Sequence, residues 1–351
     1  MNPRILLVLI SCALSVITGL VLSRGGPSTG TAARSRPLIG LSMDTLKEER
    51  WQSDRDLFVK RATTLGADVQ VLAANSDDTR QLRDVESLIT NKVDALVIIP
   101  HNGAAMAKAV DLAHQAGIPV LSYDRLITGC ELDLYMTFDN VKVGELQARF
   151  IADRLPATGK LRLIRIYGSK TDNNAKLFKQ GQDNILTPLI AAGKIEVLHE
   201  DWAEDWKPEN AKKIANAAIT KLGQNFDAIL ASNDGTAGGA IQALIEEGLA
   251  GKIIVTGQDA DLAACQRIVH GTQTMTVYKP LTLLANQAAE IAVKLAQRKP
   301  IIARDETDNA KMKVPSILLD IIAVTKENMM DTVVKDGFRK KEEVYEGTDQ
   351  K

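Results

Sequence analysis

Cysteine is scarce in this chain: three in 351 residues, at positions 12, 130 and 265, with no two at CxxC spacing. That scarcity excludes a disulfide framework, and it offers neither a zinc knuckle nor a thiol redox motif. Cys130 and Cys265 are expected to be unpaired thiols in packing positions. An excess of charge of one sign is missing too. The formal net charge is -1 and no lysine- or arginine-rich run occurs, which argues against a polyanion or nucleic-acid binder. The four histidines, at 101, 114, 199 and 270, are scattered without metal-ligand spacing. There is no GxxxxGK[ST] loop, no GxGxxG after a strand, no GxSxG elbow and no HExxH, so neither cofactor nor catalytic chemistry is expected. The nearest approach to a phosphate loop, Gly235-Thr236-Ala237-Gly238-Gly239, is expected to open a helix packed closely on its strand.

A charge-free apolar run from Ile5 to Leu22 follows the positive start Met1-Asn2-Pro3-Arg4, and residues 23–36 are rich in Gly, Ser, Thr and Arg. Residues 1–36 therefore read as an export segment and tether. The run lies between a long signal peptide and a short membrane anchor. Thr31-Ala32-Ala33 offers small residues for cleavage, and Leu9-Ile10-Ser11-Cys12 fits a lipoprotein box that would place a lipid on Cys12. Cleavage, retention and lipidation stay open, and each puts the globular part outside the cytoplasm.

From Pro37 the sequence alternates short apolar runs with helical segments. Strands are expected over 38–43, 68–72, 95–99 and 118–123, with helices over 49–65, 79–91 and 104–116 between them. The rhythm restarts with strands over 161–167, 195–199, 228–232 and 253–257 and helices over 143–154, 175–191, 208–222 and 236–247. Such a βαβ series implies right-handed crossovers and a doubly wound parallel sheet, and two series imply two similar α/β lobes. The chain is expected to cross between them near Phe138-Asp139-Asn140, near Lys279-Pro280 and near Val314-Pro315. The lobes then comprise 37–140 with 279–313, and 141–278 with 314–351, the tail from Arg339 being frayed.

Three apolar runs stop on polar pairs: Asp124-Arg125, Asn233-Asp234 and Gln258-Asp259. Open parallel sheets bind ligands at the carboxyl ends of their strands, so these pairs sit where a ligand would. Aromatic residues make up only 4% of the chain. All three tryptophans nevertheless lie in charged segments: Trp51 in KEERWQ, Trp202 and Trp206 in HEDWAEDWKPEN. Trp202 follows a strand and is expected to cap a core edge, whereas Trp51 and Trp206 are candidates to face a ligand. A flat apolar ring suits the C–H face of a sugar, and charged hydrogen-bonding groups suit its hydroxyls.

Over 38–339 the segments KEERWQSDRDLFVKRA, ALVIIPHNG, SYDRLI, FDNVKVGELQA, DNNAKLFKQGQ, WKPENA, ASNDGTAGGAIQAL, TGQDADLA and GTQTMTVYKPLTLLAN resemble, in order, the bacterial periplasmic sugar-binding proteins of the ribose/galactose type, the D-xylose-binding branch of ABC transport above all. The resemblance implies two lobes on a three-strand hinge, closing around one monosaccharide. It implies ligand contacts at Arg50, Asp124, Arg125, Asn174, Trp206, Asn233, Asp259 and Lys279, with Trp206 stacked on the pyranose and Trp51 covering its other side. Asp234 and Gln258 are then expected to support the loops rather than touch ligand. Delivery to an ABC permease is the expected output. A membrane-tethered sensor signalling to a histidine kinase or chemoreceptor is the alternative.

Overall fold

The structure is a computed structural model that describes residues 36–348. Apart from Arg36, the expected export or anchor segment, with Cys12 and residues 31–33, lies outside the described residues.

Strands β1 (Leu38–Met43), β3 (Ala95–Ile98), β4 (Val120–Tyr123) and β5 (Leu134–Phe138) are buried almost throughout. Their apolar runs do not alternate because helices cover both faces. With β2 (Asp68–Ala73), β12 (Lys313–Leu319) and β11 (Asp305–Asp308) they form a sheet of order β11-β12-β5-β4-β3-β1-β2, parallel except at β11. Helices α1 (Glu49–Thr64) and α9 (Leu281–Ala296) bury an apolar stripe on one face. Helices α2 (Asp78–Thr90) and α3 (Ala107–Gln115) close the other.

The second sheet has the order β7-β6-β8-β9, all parallel, from β6 (Leu161–Tyr167), β7 (Ile195–Trp202), β8 (Ala228–Ala231) and β9 (Ile254–Val255). Helices α4 (Asn140–Ala152) and α5 (Asn173–Ala191) pack on one face. Helices α6 (Pro208–Leu222) and α7 (Asp234–Glu246) pack on the other. The expected architecture, two doubly wound α/β lobes, is the one observed. The glycine-rich segment opens α7, which packs on β8 as expected, and Gly239 also admits α6: a Cβ there would lie 2.1 Å from the Pro208 carbonyl oxygen.

The chain passes between the lobes after β5, again between β10 (Thr276–Tyr278) and α9, and a third time between β12 and β13 (Ile322–Val324), which pairs antiparallel with β10. This third passage falls later than Val314-Pro315. The apolar stretch 317–324 is two strands, because β12 pairs with β5 as far as Leu319 before the chain turns at Asp320-Ile321. The tail is not frayed as far as it is described. Val344, in α10 (Lys341–Val344), is fully buried with Ile268 and Val269 of α8 (Leu262–His270). Cys130 and Cys265 are free, buried, and in separate clusters.

Candidate ligand-binding site

The expected polar pairs follow the carboxyl ends of β4, β8 and β9, and two of them use unusual backbone. Asp124 has φ 62° and Asp259 φ 98°, both in the left-handed region that side chains avoid. Each such residue costs about 1–3 kcal/mol and persists only where its surroundings dictate it. At Asp124 they do: its carbonyl accepts from the Tyr135 hydroxyl at 3.0 Å, Thr137 Oγ1 at 2.7 Å and Asn174 Nδ2 at 3.0 Å.

Arg50, in the first turn of α1, gathers three carboxylates. Its guanidinium pairs with Asp124, reaches Asp259 at 3.2 Å and lies 3.5 Å from Asp54. Burial opposes its charge, but Asp124 first and then Asp259 outweigh that and push its pKa well up. Burial also works on Asp124, yet Arg50 and Lys279 hold its carboxyl below the ordinary range. Lys279, between β10 and α9, is 1% exposed and 3.5 Å from Asp259; burial lowers its pKa against that carboxylate's pull. Arg125 donates to Asp44 at 2.6 Å and pairs with Asp172 at 2.9 Å. Asp44 and Arg125 belong to the first lobe and Asp172 caps α5 of the second, so this cluster, like Arg50–Asp259 and Asn174–Asp124, spans the cleft.

Asp54 lies behind Arg50 and accepts from the Tyr123 hydroxyl. Burial above all raises its carboxyl to about 6 from an ordinary 3.8, despite Arg50. The folded chain therefore holds a proton that the unfolded chain releases earlier as pH rises. The contribution of Asp54 to stability is expected to fall between about pH 4 and about pH 6 and then level off, and Asp54→Asn to remove that part of the slope in urea-midpoint measurements. An unchanged slope in the variant would refute the assignment.

Trp206 ends a short turn before α6 that closes on two consecutive left-handed residues, Asp205 at φ 53° and Trp206 itself at φ 59°. Its Nε1 donates to Asp172 at 3.1 Å and its ring meets the edge of Phe178 at 6.2 Å. The ring also rests on Gly168, where a Cβ would come within 2.0 Å of Cη2. Trp51 is in the first turn of α1, not in a loop, and its ring carries the Arg50 and Arg125 guanidinium groups at 4.4 and 5.1 Å. Trp202 is the last residue of β7, packed on Tyr167 at 4.8 Å and outside the cavity.

One cavity between the sheets is lined by every residue expected to touch ligand: Arg50, Trp51, Asp124, Arg125, Asn174, Trp206, Asn233, Asp259 and Lys279. Water-centre space within it is about 50 Å³, where one water needs roughly 10–15 Å³, so its occupant is small. Sequence reasoning missed Asp172, Glu48, Phe178 and Asp261 on the wall. Asp172 had a signal only as a helix cap, since Thr171-Asp172 immediately precedes α5. Gln258, expected as a support, lines the cavity as well, whereas Asp234 is a support as expected: fully buried, it accepts from Gln273 at 2.7 Å and Thr276 at 2.9 Å.

Two α/β lobes, three interlobe passages and a cavity between them floored by strand ends and lined by buried charged groups define a two-lobed solute-binding protein. Comparison with known proteins gives the family. A periplasmic binding protein domain is matched over residues 39–300, and the chain belongs to that family. The D-xylose-binding periplasmic protein of Haemophilus influenzae is 52% identical over 316 residues, 90% of this chain and 94% of that protein. The D-xylose-binding periplasmic protein of Escherichia coli is 50% identical over 332 residues, 94% of this chain and 98% of that protein. A carbohydrate transporter solute binding protein from Chloroflexus aurantiacus, solved with D-glucose, matches with a TM-score of 0.82 at 31% identity, covering 87% of this chain and 97% of that chain.

Proposed function

We propose that this chain binds a monosaccharide outside the cytoplasm, D-xylose in preference to others, and delivers it to an ABC transporter permease. The observation that carries the reading is the cavity between the two sheets, in which one indole ring and a set of buried, charge-paired hydrogen-bonding groups from both lobes line one space. In this reading Trp206 stacks on the pyranose. Asp124 and Asp259 accept from hydroxyls; Arg50, Arg125, Asn174 and Lys279 donate. Asn233 takes part through its amide. Trp51 backs the two arginines.

The mechanism is closure. Arg50, Asp124 and Arg125 come from the first lobe and Asn174, Trp206, Asn233 and Asp259 from the second, so a sugar that touches both sets favours the closed form by its differential affinity. Burying the ligand excludes water from its hydrogen bonds and strengthens them. Calorimetry with D-xylose, L-arabinose, D-ribose, D-glucose and D-galactose is expected to rank D-xylose first. Silence towards all five would remove the sugar reading. A hexose ranked first would remove the pentose preference alone.

A further inference from the structure

We infer that Gln258 is a specificity-determining residue of this cavity, acting with Asn233 to hold one hydroxyl that must both accept and donate; this rests on the sugar-binding reading above. Strands β8 and β9 pair in parallel, Ala228 with Ile254 and Ile229 with Val255, so their carboxyl ends run on side by side. The backbone keeps them together there, the Asp234 N–H donating to the Gln258 carbonyl at 2.9 Å. The side chains of Asn233 and Gln258 thus leave adjacent strand ends, and both line the cavity.

Their free hydrogen-bonding groups are of opposite kind. Asn233 is the N-cap of α7, and its Oδ1 is already committed, accepting from the Thr236 N–H at 2.9 Å and from Thr236 Oγ1 at 2.8 Å. Its NH2 is what it has left to offer. Gln258 is 2% exposed, and its Oε1 is buried without a donor. A buried acceptor with no donor is a penalty that a ligand donor relieves. Glu48 and Asp261 also carry unpartnered carboxylate oxygens on this wall, but each is more exposed than Gln258. A hydroxyl is donor and acceptor at once. It accepts from Asn233 Nδ2 and donates to Gln258 Oε1, whereas a hydrogen, a fluorine or an ether oxygen at that carbon leaves Gln258 unsatisfied. The pair thereby selects a sugar with a free hydroxyl at one ring position over its deoxy and capped analogues.

The test is calorimetry on the full chain, wild type and Gln258→Met, with D-xylose and its 2-, 3- and 4-deoxy and deoxyfluoro derivatives. The substitution is expected to weaken D-xylose binding about tenfold. At one ring position the deoxy and deoxyfluoro sugars should bind wild type and variant alike, while at the other positions the tenfold loss persists. A merely structural role would lower every sugar by the same factor and overturns the inference, as does unchanged D-xylose binding by Q258M. Should Q258M fail to fold, Gln258→Asn, which keeps an amide but withdraws it, carries the same comparison. A wild-type chain that binds none of these sugars overturns the sugar-binding reading itself, and this inference with it.

Discussion

Arg50→Met is expected to abolish measurable sugar binding and to cost about 3–5 kcal/mol of stability at neutral pH, the usual penalty for breaking a buried ion pair from one side. Arg50 stands between Asp54, Asp124 and Asp259, whose side chains are 2%, 2% and 9% exposed. Without it three buried carboxylates face one another, with Lys279, 3.5 Å from Asp259, and Arg125 beside Asp124 as the remaining cations. Asp54 and Asp124, whose charged forms Arg50 favours, will hold protons to higher pH without it, so the loss should shrink as the solution is acidified and they neutralise. Urea midpoints at pH 7 and pH 5 separate this electrostatic loss from simple loss of packing, which is the same at both. Arg50→Lys is expected to rescue little, because a single ammonium cannot present a planar fork to carboxylates on different sides. A variant that melts like wild type and keeps its affinity within about tenfold would show that the network does not organise the cavity.

The same network marks the limit of what the residues disclose in order. The two sheets were legible because the strands are continuous apolar runs and the helices between them carry a clear stripe. The polar pairs were legible because a strand that stops on Asp-Arg or Asn-Asp has no core to face. Asp172 was not. In sequence it is a cap before α5, and only folding brings it to Arg125 at 2.9 Å and to Trp206 Nε1 at 3.1 Å. Gln258 is legible only in part for a related reason: its carbonyl supports the loop as expected, but nothing in Gly257-Gln258-Asp259 says that its side chain also reaches the wall, since the left-handed φ of Asp259 redirects the chain there. The passage out of the first lobe falls later than the sequence suggests because 317–324 reads as one apolar run. Its break at Asp320 is set by hydrogen bonding to two partners, β5 and β10, that are remote in sequence.

Trp206 allows the cavity to be tested through a residue that does not line it. Trp206→Ala is expected to weaken sugar binding about 100-fold, the scale of a buried aromatic anchor at the centre of a contact. Trp202→Ala should leave affinity within about twofold and lower stability instead, since a half-buried ring packed on Tyr167 contributes packing and little else. Gly168→Ala discriminates further. Its new methyl would fall within 2.0 to 2.3 Å of three Trp206 ring carbons, so the indole must move while every cavity-lining side chain keeps its identity. If affinity depends on where the ring lies, this one methyl group should reproduce a large part of the Trp206→Ala loss, accompanied by a shift in tryptophan fluorescence. Wild-type affinity in Gly168→Ala, with Trp206→Ala crippled, would mean that the indole matters as bulk excluding water and not as a stacked surface.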